Sequence, residues 1–136
     1  MYDIREELMQ KMVSDLKKEQ NRYKIMSDEE FYNSDYGEKR RKRNQTCSGV
    51  VYMHCLMPES AKNLLGVYFH KKDIAISVPK DFENFKTDIV VEIKEKEVFN
   101  NSYYDYRVVR KDHDEMYSDT KKLILEMLDY ASEHIV

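Results

Sequence analysis

The chain has 136 residues, 41% of them hydrophobic and 36% charged, with a formal net charge of −3. That length fits one domain with a sizeable core. No apolar run reaches the roughly 18 residues that cross a bilayer, and Met1 leads into Tyr2, Asp3, Ile4, Arg5, Glu6 and Glu7 where a leader would be basic and then apolar. A soluble, cytoplasmic protein without a membrane partner is expected.

The first segment opens with Asp3 as a helix N-cap and Glu6 three residues on, then places Ile4, Leu8, Met12 and Leu16 at helical spacing, with Met9 and Val13 widening the stripe. The spacing predicts an amphipathic helix to about Tyr23. Ser27 and Glu30 have capping-box spacing, with Met26 and Phe31 placed for a hydrophobic staple, so a short helical turn over 28–33 follows.

Residues 34–46 are polar and charged apart from Tyr36, and Gly37 marks a break; this stretch reads as an exposed linker. Within it Lys39, Arg40, Arg41, Lys42 and Arg43 form an unbroken cationic run, whereas residues 112–136 hold seven carboxylates against two lysines. The two poles of charge imply different surroundings.

Residues 49–57 are almost continuously apolar, as in a strand covered on both faces, and Pro58 stops them. Residues 64–70 and 73–78 flank Lys71 and Lys72 in a hairpin pattern. A strand over 88–98 points Ile89, Val91 and Ile93 one way and Val90, Glu92 and Lys94 the other, and Asn100 and Asn101 turn the chain into a strand over 103–110. Asp112 with Glu115, or else Ser118, caps a last amphipathic helix carrying Ile124, Leu128, Ala131 and Ile135. Together these elements predict a single α+β domain, with about five mostly antiparallel strands covered by an N-terminal and a C-terminal helix.

Chemical motifs are sparse. The run Thr87 to Lys94 resembles the E-x-K strand of the PD-(D/E)xK nuclease superfamily. The resemblance covers about one hairpin and implies that Asp73 and Glu92 hold a divalent metal while Lys94 positions the attacking water. Asp88 lies too close to Glu92 for the first carboxylate, and Asp73 is placed on the neighbouring strand. The superfamily continues with a helix, where residues 96–103 read as a strand end and a turn. The competing explanation is a solvated strand face in a highly charged chain, since short motifs recur by chance.

Cys47, His54, Cys55 and His70 lack zinc-ligand spacing, and adjacent His54 and Cys55 point to opposite faces of a strand, so buried reduced thiols and no metal or other cofactor are expected. Asp112, His113, Asp114 and Glu115 lack the glycine and spacing of a calcium loop and suit a helix N-terminus instead. Three glycines leave little room for a phosphate-cradling loop.

Eleven tyrosines and eight methionines point elsewhere, because both residue types are enriched in protein interfaces. In Tyr103, Tyr104, Asp105 and Tyr106, alternation places Tyr104 and Tyr106 on one face and Tyr103 on the other. The expected function is that of a small non-enzymatic binding protein, a regulator or inhibitor of a protein partner that contacts it through Tyr103, Tyr104 and Tyr106, with a homodimer as a further expectation. By composition alone, the chain is similar to accessory proteins of AT-rich bacteria, their phages and mobile elements. The first alternative is nucleic-acid binding through residues 39–43, with Tyr32, Tyr36 and Tyr52 available to stack on bases, and the same basic run suits an acidic protein partner equally well. The nuclease built on Asp73, Glu92 and Lys94 is the second.

Overall fold

The structure, a computed structural model, describes residues 3–34, 50–58, 63–98 and 101–135. The basic run 39–43, nearly all of the 34–46 linker, and Cys47 lie outside the described residues. The chain is α+β, with three helices and six antiparallel strands among the described residues, one strand more than expected. It divides into two compact units, Met1–Phe69 and His70–Val136. No helix among the described residues is long and apolar enough to cross a membrane.

In the first unit, α1 runs Ile4–Glu19. Asp3 accepts from the Arg5 amide at 3.0 Å, Glu6 and Glu7 occupy the first turn, and Lys17 and Lys18 the last, as the helix dipole favours. Its buried stripe is Leu8, Met9, Met12, Val13 and Leu16. The helix stops four residues earlier than the spacing predicts because Gln20 turns extended and its side chain closes the exit: Oε1 accepts from the Tyr23 amide at 2.9 Å while Nε2 donates to the Tyr23 carbonyl at 3.1 Å.

Strand β1, Lys24–Ser27, follows, then α2, Asp28–Tyr32. The capping box closes reciprocally, with Glu30 N donating to Ser27 Oγ and Ser27 N to Glu30 Oε1, both at 3.2 Å. Strands β2, Val51–Leu56, and β3, Asn63–Phe69, complete the unit, with β2 pairing antiparallel to β1 on one side and β3 on the other. The apolar run thus becomes the middle strand of its unit, because both its faces are covered.

In the second unit β4 is Asp73–Pro79, β5 Glu92–Val98, β6 Asn101–Val109, and α3 His113–His134. The strands lie in the order β4-β6-β5, all antiparallel. Directly opposed residues share a face. One face therefore carries Ile74, Ile76, Val78, Tyr104, Tyr106, Val108 and Ile93, and the other Asp73, Ser77, Tyr103, Asp105, Arg107, Glu92, Lys94 and Lys96.

Asp112 caps α3 by accepting from the Asp114 amide at 3.1 Å. The helix packs on β4 and β6 with Met116, Thr120, Leu123, Ile124, Met127 and Leu128 fully buried. Phe82, Phe85 and Tyr130 form an aromatic cluster, and the Phe85 ring meets Tyr106 edge-on at 5.9 Å.

Candidate functional site

The outer hairpin of the second unit, β5 and β6, gathers most of the expected site residues. Strand β5 reads Glu92, Ile93, Lys94, Glu95, Lys96, Glu97, Val98 and pairs with β6 alone among the described residues, so it is an edge strand. Long apolar edges invite aggregation and are commonly blunted with charge. Here the charges are balanced across the hairpin: Glu92 lies opposite Arg107 and Lys94 opposite Asp105. Lys96 Nζ reaches Asp105 Oδ2 at 3.1 Å, and Arg107 Nε approaches Asp73 Oδ1 at 3.8 Å, an oxygen also 2.6 Å from His70 Nδ1.

Within this charged strand Ile93 stands 54% exposed, because α3 packs on β4 and β6 and leaves the edge uncovered. Val90, just before the strand, is 77% exposed. The stretch leading into β5 is held irregular by side chains. Thr87 Oγ1 donates to Glu126 Oε1 at 2.9 Å and accepts from the Ile89 amide at 3.1 Å, while Arg110 Nη2 donates to the Val90 carbonyl at 2.8 Å. Arg110 also bonds Asp119 Oδ2 at 2.9 Å. The strand expected from residue 88 therefore starts at Glu92.

Tyr103 and Tyr104 are half-buried on opposite faces of β6. Tyr106, expected at an interface, is only 4% exposed and belongs to the core. Burial, then the neighbouring Tyr104 and Tyr130 hydroxyls, raise its pKa above the ordinary phenol value.

The nuclease-like set is not brought together. Asp73, Glu92 and Lys94 share a face, but β6 runs between β4 and β5, where a neighbouring strand was expected. Asp73 opposes Val109 while Glu92 opposes Arg107, so two strand spacings, about 9–10 Å, and a two-residue offset along β6 separate Asp73 from Glu92, and Arg107 Nε approaches Asp73 on that face. Among the described residues no group of three or more His, Cys, Asp or Glu side chains could hold a metal ion.

The first unit contains a polar cluster that sequence reasoning missed. His54, 3% exposed, lies with Nε2 2.9 Å from Asp28 Oδ1. The Phe31 ring stacks on it at 4.1 Å and Tyr52 meets it edge-on at 4.3 Å. Its sequence signals were the capping box, which fixes Asp28 at the start of α2, and the parity of β2, which puts His54 beside Tyr52. Burial first, then Tyr68 nearby, push the Tyr52 hydroxyl well above its ordinary pKa. A Cβ on Gly66 would collide with the Tyr52 hydroxyl and sit 2.9 Å from two of its ring carbons. Gly66→Ala is therefore expected to lose about 1–3 kcal/mol in urea unfolding through overpacking, and Tyr52→Val in the same chain should recover part of that loss.

Cys55 points to the other face of β2, is fully buried, and burial pushes its thiol up to about 12. It makes no thiolate–imidazole pair with His54. Because the folded pKa lies above the ordinary 9.0, the neutral thiol's stabilisation is complete below about pH 9 and is lost as pH rises towards about 12. Wild type should thus lose about 2–3 kcal/mol more than Cys55→Ala between pH 8 and 11 in parallel urea melts. Equal losses would contradict the burial. Compared with protein-family models, curated proteins and solved structures, the chain matches none of them.

Proposed function

We propose that this chain is a binding protein that acts on a protein partner by contact rather than by catalysis, as a regulator or inhibitor, and that it presents the β5–β6 hairpin to that partner. The observation that carries this reading is Ile93, more than half exposed on an edge strand whose other described side chains are charged. Scattered surface apolar residues are ordinary. An apolar residue at an unpaired edge, with Val90 exposed three residues away and Tyr103 and Tyr104 half-buried on the adjoining strand, supports a recognition surface in which backbone pairing supplies affinity and side chains supply choice of partner.

A photo-crosslinking residue at position 93, compared with one at exposed Lys18 on α1, tests the reading in cells that express the chain. A discrete protein adduct from position 93 and none from position 18 is the expected outcome. Equal, diffuse labelling from both positions would remove the hairpin as the contact surface.

A further inference from the structure

We infer that the edge of β5 takes a second copy of this chain, in one register: antiparallel about a two-fold axis through Ile93. This names the partner for the proposed hairpin surface and rests on that reading. A two-fold axis normal to a sheet makes the central residue face itself and pairs residues at equal distances on either side. Centred on Ile93, the pairing sets Glu92 against the partner's Lys94, and Lys94 against the partner's Glu92, flanking a buried Ile93–Ile93 contact. Val91 then lies opposite Glu95, and exposed Val90 opposite the aliphatic stem of Lys96.

The charge pattern selects this register. An axis through Glu92, Lys94, Glu95, Lys96 or Glu97 sets that residue against itself, and an axis through Glu95 or Lys96 adds further like-charge pairs on both sides. Like charges directly opposite are unfavourable. Among registers centred within Glu92–Glu97, only the one through Ile93 avoids every such clash and also covers the one apolar side chain of that stretch. Glu92 and Lys94 lie opposite Arg107 and Asp105 within the hairpin, and both side chains are exposed, so both can reach the second copy. The β4-β6-β5 strands of the two copies would join through their β5 edges, removing the exposed edge.

Sedimentation equilibrium from about 1 µM to 1 mM chain tests this with wild type, Glu92→Lys, Lys94→Glu, and an equimolar mixture of the two variants. Wild type should self-associate, and each variant alone should associate at least roughly tenfold more weakly, since each turns two attractive pairs into repulsive ones. The mixture should recover the dimer, because it sets two lysines against two glutamates, and unfolded variants could not produce that recovery. A wild-type dimer with no recovery on mixing would overturn the register and with it the inference. A wild type monomeric throughout would overturn the second copy, while an adduct from position 93 to a different protein would still stand for the hairpin reading. Should either variant fail to fold, Ile93→Cys serves instead: ready oxidation to a linked dimer, absent in Lys18→Cys, is expected, and no linkage overturns the proposal.

Discussion

Phe31→Ala should cost about 3–5 kcal/mol of unfolding free energy, the range for truncating a buried aromatic ring, although it lies in a helix of five residues. Alone, so short a helix has no independent stability. What holds α2 is one ring 1% exposed, stacked at 4.1 Å on His54 and packed edge-on against Tyr32 at 5.2 Å. Removing it opens a void beside a buried imidazole and exposes the His54–Asp28 contact to water, which weakens a hydrogen bond made in low dielectric. Phe31→Leu should retain roughly half of the lost stability by refilling the cavity without the stack. Urea melts decide the matter, and amide exchange at Glu30 gives a local check: its bond to Ser27 Oγ should lose protection together with α2. A loss below about 1 kcal/mol would mean that α2 is held by the capping box alone.

The elements most legible in the chain were those specified locally. The Ser27–Glu30 box and the Asp112 cap sit where their spacing puts them, because each is closed by atoms two or three residues apart. The stripe of α3 was likewise legible except at Ile135, which ends the helix as its C-cap. Strand β1 was hidden because four residues between a helix exit and a capping box leave no room for alternation to register, although Ile25 and Ser27 do alternate with Lys24 and Met26 in burial. The late start of β5 depends on Thr87 bonding Glu126 and Arg110 bonding Val90, contacts of 39 and 20 residues' separation that no local pattern encodes.

The candidate site followed the same division. Parity correctly placed Glu92 and Lys94 together and separated Tyr103 from Tyr104. It could not place Asp73, because consecutive strands adjoin only as a tendency, and here β6 enters between β4 and β5. Nor could parity tell which tyrosine face α3 would cover. The exposure of Ile93 arises from the width of a helix over three strands, a property of packing rather than of the strand's own sequence.

Tyr106→Ala should destabilise the chain by about 3–5 kcal/mol, whereas Tyr103→Ala and Tyr104→Ala should each stay within about 1.5 kcal/mol. All three lie within four residues of one strand, so strand propensity is nearly constant across the comparison and burial decides it. Tyr106 is opposed by Ile76 on one side and Ile93 on the other and meets Phe85. Its truncation would therefore empty a site beneath α3 and further uncover the edge-strand isoleucine. Spectrophotometric titration supplies a second readout. The phenol's pKa is raised in the fold, so its stabilisation is present below the ordinary value of 10.0 and declines as pH rises through the folded value; the stability gap between wild type and Tyr106→Ala should therefore narrow at alkaline pH. Loss of binding in Tyr106→Ala would then report unfolding, while loss in a fully folded Tyr104→Ala would report contact with the partner. Equal destabilisation by Tyr104→Ala and Tyr106→Ala would contradict the burial of one ring over the other, and with it the assignment of Tyr104 to the recognition surface.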